Sequence, residues 1–348
     1  MADKARKWTD KKLSQMEKEI SDIYQKSAKD VYKKWDEYMQ TTGEKIAEYQ
    51  KAYDEAKKTD DKELIRRTGR KLSQVKQEQT LQSDQYKAML DRTAKEIARV
   101  NQTALAYTND QIPSVYAKNY AQVGEDLKKI EPLYQGANGG KSIRAIVNED
   151  VVKRQITDGT IQTPFMRTKK FLNIPKDQRW NTKQINSSVL QGILQGEPMD
   201  KIAKRLLPVM HNNESASIRN ARTLVTGAEN AGRKDSYKRL SEEGIVMKKV
   251  WIATGDERTR ESHLEMDGQE VDIDEPFIAI NRDGTQCELD YPADPTADAE
   301  QVYNCRCSMK THIVGFKKND GDIEEVDYNR QGESAHERSI EAEKEKRK

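Results

Sequence analysis

From Leu13 to Tyr38 the apolar positions fall at three- and four-residue steps: Leu13, Met16, Ile20, Tyr24, Val31, Trp35 and Tyr38, with Ser27 on the same line. That spacing lays an apolar stripe along one side of an α-helix and leaves Lys, Asp and Glu on the other. Residues 3 to about 57 therefore read as one long helix. Thr41-Thr42-Gly43-Glu44 is its candidate kink, because Gly and β-branched residues weaken a helix interior. Thr59-Asp60-Asp61 is a break with an N-cap signal. A second helix is expected from about 61 to 107, with a weaker stripe of Leu64, Leu72, Val75, Tyr86, Met89, Leu90, Ile97 and Val100. Two long helices with a short connection fold back as an antiparallel hairpin. A single extended coiled coil is the alternative. Ile112-Pro113-Ser114 is expected to end the hairpin, since Pro lacks a donor and biases its predecessor away from helix.

A stripe of this length needs apolar partners, and the chain is sparing with them. Hydrophobic residues make up 34% of the 348 residues, and charged residues another 34%. That balance suits solvated helices around several small cores. The formal net charge is +2, so no global field attracts nucleic acid, and contact with DNA must come from a local patch. No apolar run reaches the length of a membrane span. The start, Met-Ala-Asp-Lys-Ala-Arg-Lys, lacks the apolar core of a signal peptide, so a cytoplasmic product is expected.

Gln135-Gly136-Ala137-Asn138-Gly139-Gly140 is the clearest linker in the chain and the expected domain boundary. Residues 141 to 243 read mostly helical, with breaks at Thr163-Pro164, Asn173-Ile174-Pro175 and Gly196-Glu197-Pro198. Ile185 to Leu194 and Met199 to Leu207 superficially resemble a helix-turn-helix, but neither segment is notably basic, and two core helices is the better reading. Glu214 to Glu243 reads as one helix. Its Arg219, Arg222, Arg233, Lys234, Lys238 and Arg239 give a candidate basic contact surface, against the ordinary reading of a solvated face. At Gly244 the pattern changes. Ile245 to Ala253 alternates as a strand, turns follow at Asp267-Gly268 and Asp283-Gly284, and Cys307 to Phe316 is a last strand. The fold class expected is mainly α: an N-terminal helical hairpin over 1–135, a helical region over 141–243, a small α+β domain over 244–316, and a charged tail over 317–348, disordered or loosely helical.

All three cysteines lie in the last quarter of the chain. Cys305-x-Cys307 with Cys287 and His263 is a candidate Cys₃His set for structural zinc, because thiolates and a neutral imidazole suit that ion and a thin core gains from it. Cys-x-Cys in a strand would send its thiols to opposite faces, so a metal requires these two in a turn. The alternative is three reduced thiols acting as small hydrophobes. Ring strain and compartment argue against a Cys305–Cys307 disulfide. His211, His312 and His336 stand alone, with His312 the substitute ligand. No P-loop, dinucleotide fingerprint or His-Glu-x-x-His occurs, and Ser262-His263 alone is no nucleophilic pair. No catalytic residue is assigned.

From Ser217 onward the pieces fall into an order. The helix reaches Thr226-Gly227-Ala228-Glu229-Asn230; Lys249-Val250-Trp251-Ile252 follows, then Asp256-Glu257-Arg258-Thr259-Arg260-Glu261-Ser262-His263. Next come Asp267-Gly268, Tyr291-Pro292-Ala293-Asp294-Pro295 and Asn304-Cys305-Arg306-Cys307. This order resembles the Mu F-like phage minor head family, most closely over residues 185 to 316. The resemblance marks Trp251, Asp256, Arg258, Thr259, Arg260, Asp267, Gly268, Pro292, Asp294, Asn304 and Arg306 as a structural signature; Cys287 lies outside it. Physically, Asp256 is placed to cap a helix, and Arg258 and Arg260 to hold Asp267, Asp294 or a backbone carbonyl. The resemblance implies a structural virion protein and not an enzyme. It would sit at the portal vertex, with portal, capsid or scaffold proteins as partners, made in the host cytoplasm, with a packaging or ejection role and DNA contact as further implications. The competing class is a metal-dependent or nucleotide-transferring enzyme of phage origin. By resemblance, related head domains occur fused to toxin modules, but a tail as short and charged as that after Phe316 is not expected to be a catalytic domain.

Overall fold

A computed structural model describes residues 4–79, 83–128, 130–143, 149–157, 174–195, 197, 201, 204–318 and 322–325. They are mainly α-helical, with small sheets confined to the C-terminal part. Packing divides the chain into two compact units. One takes Glu17–Ala106 and Phe171–Ile218; the other takes Met1–Met16, Tyr107–Lys170 and Arg219–Lys348. The unit boundaries at 16/17, 106/107 and 218/219 fall inside long helices rather than at loops.

The first unit is built on α1 (Lys4–Ala56), α2 (Lys62–Gln79) and α3 (Asp84–Leu127). The stripe is buried as its spacing predicts: Ile20, Tyr24, Val31 and Trp35 are all nearly inaccessible. The helix runs unbroken through Gly43. Asp61 caps α2, accepting from the Glu63 and Leu64 amides at 3.0 Å each. Across the pair, Lys76 donates to Gln50 at 3.2 Å, Trp35 Nε1 to Thr93 at 2.8 Å, and Tyr24 to Asn101. As one number rises the other falls, so the helices are antiparallel, as expected of a hairpin. The expected second helix is two helices, with residues 80–82 outside the described set. Helix α6 (Ile174–Leu194) joins this unit through Tyr86, which donates to Asn186 at 3.1 Å. Asn101, Asn213 and Asn181 form a buried amide chain at 2.8 and 3.1 Å. Of the helix-turn-helix-like stretch, residues 196, 198–200 and 202–203 lie outside the described residues, as does Thr163-Pro164.

The second unit shows that Pro113 does not end a helix: α3 continues through it to Leu127. Interior proline costs about 3 kcal/mol. Ile112, Val115, Tyr116, Ala117 and Tyr120 beside it are all buried, and burial worth about 1.5–3 kcal/mol per large side chain outweighs that cost. Residues 138–140 turn the chain after α4 (Glu131–Ala137), with Gly139 and Gly140 at positive φ, inside this unit. α5 (Glu149–Thr157) follows. α7 (Leu207–Glu242) packs so tightly on α3 that a Cβ on Gly232 would lie 2.5 Å from the Tyr116 carbonyl oxygen.

After Gly244, β1 (Ile245–Ile252) pairs antiparallel with β2 (Glu270–Asp272) and with β5 (Ser308–Lys317), giving the order β2-β1-β5-β6. β6 (Ile323–Glu325) lies within the segment expected to be an unstructured tail; its backbone pairs with the end of β5, and residues 326–348 are outside the described set. β3 (Phe277–Ile280) and β4 (Gln286–Leu289) form a separate hairpin. Two short helices, α8 (Glu261–Glu265) and α9 (Ala299–Val302), punctuate the loops. One core joins Met16, Tyr116, Tyr134, Tyr237, Trp251, Phe277 and Phe316, so the N-terminal turns of α1 help build the α+β region.

Candidate functional site

Ile252 ends β1 directly opposite Ser308, the first residue of β5. The chain leaving β1 and the chain entering β5 therefore start side by side, and Asp256, Arg258, Thr259, Arg260, Asn304 and Arg306 lie on these two segments. Several contacts fasten them. Arg306 grips Asp256 with both guanidinium nitrogens. Arg260 donates to the Tyr303 carbonyl, Ser262 donates to Gln301 at 3.0 Å, and Thr254 donates to the Arg306 carbonyl at 2.7 Å. The Asp256–Arg306 fork holds the Asp256 carboxyl well below the usual carboxylate range, with the Thr259 hydroxyl and Arg258 amide adding to the effect.

The structure corrects two expected roles. Asp256 caps no helix; the N-cap of α8 is Arg260, and Asp256 instead organises the preceding turn, accepting from the Arg258 amide at 3.1 Å and the Thr259 hydroxyl at 3.0 Å. Neither arginine reaches Asp267 or Asp294. Arg258 lies 3.8 Å from Asp256, while Arg260 takes a backbone carbonyl, one of the partners expected for it. Asp267 accepts from the Ala253 amide at 2.9 Å, beside Gly268 at φ +80°. Asp294, buried after Pro292, pins its own loop by accepting from the Asp290 and Thr296 amides at 3.0 and 2.9 Å.

Asn304 sets the path of the cysteines. It adopts φ 58°, a left-handed conformation that Asn tolerates better than most residues, and its amide donates to Thr223 at 2.8 Å. Cys305, Arg306 and Cys307 then precede β5 without regular structure, so strand alternation does not apply and the thiols converge. His263 Nδ1 lies 3.7 Å from Cys305 Sγ and 3.4 Å from Cys307 Sγ. All three donor atoms fall within 4.8 Å of one another, in side chains exposed by 1%, 1% and 2%. Trp251 and Phe277 wall the site, with Trp251 edge-on to each of His263 and Phe277 at 5.2 Å. The Cys305 thiol and then His263 hold Cys307 below the usual thiol range against the effect of burial, whereas Cys305 is pushed up by its neighbour and by burial. Cys287 is not in this group: its sulfur accepts the Asp298 amide at 3.4 Å on β4. His312 pairs with Glu270 at 2.9 Å, His211 is exposed, and His336 is outside the described residues.

The proposed basic surface does not form as one face. Arg233 is buried, donating to Asn119 and to the Met309 carbonyl and facing Glu229 at 3.2 Å, while Lys234 pairs with Asp290. Of the other four, Arg219, Lys238 and Arg239 are exposed and Arg222 is half-buried. Sequence reasoning missed the network around Arg233. Arg6 on α1 reaches both Glu229, at 3.4 Å, and the Arg306 carbonyl, at 2.7 Å, and Thr9 accepts from Asn119 at 2.9 Å. The Glu229–Arg233 spacing of four on one helix was the available signal. It also missed Lys249, which shares the inward face of β1 with Met247 and Trp251. There Lys249 donates to the Asp290 carbonyl at 2.9 Å, and burial lowers its ammonium to about 8 against the pull of Asp290.

Residues 183–310, which include His263, Cys305, Cys307 and the Asp256–Arg306 fork, match the model of the family described as Phage Mu protein F like protein. The chain is similar to Minor head protein GP7 of Bacillus phage SPP1, 27% identical over 191 residues, or 55% of this chain and 58% of that protein. It is also 27% identical over 134 residues to NAD(+)--arginine ADP-ribosyltransferase EFV of Enterococcus faecalis, covering 38% of this chain and 26% of the relative. A third relative, uncharacterized protein YqbB of Bacillus subtilis, is 25% identical over 166 residues, 47% of this chain and 52% of its own. The chain thus spans between a quarter and about three-fifths of these curated relatives. No solved structure matches. No helix among the described residues is long and apolar enough to cross a membrane. Over residues 183–310 the chain is thus similar to the Phage Mu protein F like family, the resemblance its motifs carried.

Proposed function

We propose that this protein is a structural minor head component of a tailed bacteriophage that joins the portal vertex during procapsid assembly, made in the host cytoplasm and carried into the virion. The observation that carries the reading is the family match over residues 183–310, supported by likeness to a protein named for the phage head. The fasteners of that region are devices that specify a fold: a bidentate fork, a left-handed Asn, loops pinned by Asp267 and Asp294. The long antiparallel helices then serve as the arm that docks portal, capsid or scaffold subunits by laying a helix face into a groove. Exposed Arg66, Arg67, Arg70 and Lys71 on α2 offer a local positive face for DNA or an acidic partner during packaging or ejection.

The match to an ADP-ribosyltransferase favours a second reading, a nucleotide-transferring enzyme, over the quarter of that relative it covers. Co-expression of the full chain with the portal protein encoded beside it, followed by affinity capture, separates the two. Capture of portal with no NAD turnover is expected. NAD consumption with no portal in the eluate would put the enzyme first.

A further inference from the structure

We propose that His263 Nδ1, Cys305 Sγ and Cys307 Sγ hold a single zinc ion that clasps the two segments between β1 and β5. Zinc takes thiolate at about 2.3 Å and imidazole at about 2.0–2.1 Å in tetrahedral geometry, which puts each nitrogen–sulfur pair about 3.6 Å apart. The observed separations are 3.7 and 3.4 Å, on a histidine and two cysteines from different parts of the sequence. The cysteines are free, so no S–S bond accounts for their approach.

The donor chemistry selects the ion. Two sulfurs and one imidazole suit zinc, whereas magnesium and calcium require oxygen ligands, and among the described residues no carboxylate joins the group. Without a metal the arrangement is poorly satisfied. Two thiols face one ring nitrogen that accepts a single hydrogen bond. With a metal, three lone pairs meet at one point, and the proton stays on Nε2. The described residues supply three of the four positions of a tetrahedral zinc site.

The ion's role follows from where its ligands sit. His263 stands on α8, directly after the turn that Asp256 organises; the cysteines flank Arg306, the residue that grips Asp256. Zinc therefore closes the same gap as the Asp256–Arg306 fork, but from the buried side. Such binding adds directly to folding free energy, because the unfolded chain has no preformed site. This inference is independent of the head-protein reading.

The test uses the full chain, purified from zinc-supplemented cells, with metal content measured by mass spectrometry. One zinc per chain is expected in the wild type and in Cys287→Ser. Cys307→Ser and His263→Ala are expected to lose it. Those variants can misfold, so cobalt(II) alone is titrated into chelator-stripped, refolded wild type as a second readout. Thiolate-to-cobalt charge-transfer bands with tetrahedral d–d intensity, saturating at one equivalent, are expected, together with a rise in thermal midpoint. Folded wild type that carries no stoichiometric zinc and gives no thiolate–cobalt bands would overturn the site. Loss of zinc in Cys287→Ser would overturn the ligand set.

Discussion

The two tryptophans Trp35 and Trp251 are both fully buried, yet they sit in regions organised differently. Trp35 lies on a long stripe in which one interaction succeeds another along paired helices: Tyr24 with Asn101, Trp35 with Thr93, Gln50 with Lys76. Each contact is one of many similar ones, so the region distributes its stability. Trp251 lies where a few individual residues each do something no neighbour repeats. It walls the cysteine–histidine cluster, and the loops around it hold their shape through a single fork, a single left-handed Asn and a few pinning carboxylates. Helix pairing tolerates substitution by averaging; a small α+β region depends on particular atoms.

The sharpest break of this comparison is to replace each tryptophan with alanine. Both changes leave cavities and are expected to cost about 3–5 kcal/mol in denaturant unfolding. Only Trp251→Ala should also lower metal content, because its ring packs on His263. Equal metal content in the two variants would erase the distinction. Gly232→Ala comes next. The new methyl meets the Tyr116 carbonyl, a backbone atom that cannot swing aside, and a loss of about 1–3 kcal/mol is expected in the same measurement.

Lys249→Met tests whether the inward lysine is tolerated rather than favoured. Below pH 8 the folded protein buries an ammonium. Between about 8 and the unfolded value of 10.5 the unfolded chain holds a proton that the folded one has released, so wild-type stability rises with pH there. The methionine variant should therefore be more stable by about 1 kcal/mol at pH 7, once the lost bond to Asp290 is subtracted, and the gain should vanish by pH 10.5. A variant that is destabilised and insensitive to pH would contradict this.

Asp256→Asn is expected to have the smallest effect, about 1 kcal/mol or less, because the Asp256 side chain is 39% exposed and solvent screens the fork. Its carboxyl is depressed in the fold. The stabilisation is therefore present above the unfolded value near 3.8 and lost as pH falls through the lower folded one, so the two proteins should converge in strong acid.

What could be read from the sequence follows the same division. The hairpin was legible because its signal repeats: the three- and four-residue stripe gave α1 within a residue or so at each end. The end of α3 was not, because Pro113 is a strong local signal overruled by burial contributed from distant residues. The strands β1 and β5 were legible from alternation. The same alternation pointed Lys249 inward, against the expectation that lysine faces water. His263, Cys305 and Cys307 were named from residue type, and the structure brings them together; Cys287 was named for the same reason and lies elsewhere. Residue type selects candidates, but only the turn that Asn304 makes decides which meet. The Arg6–Glu229–Arg233 network was invisible because its members are separated by more than 200 residues, with only Glu229 and Arg233 at helical spacing.

The head-protein reading is tested most directly by co-expressing the chain with the portal and major capsid proteins from the genome that encodes it, then purifying particles for quantitative mass spectrometry. The account predicts a few copies in each particle, lost when the portal protein is left out of the co-expression. Particles that assemble with portal present but contain none of this chain would contradict it.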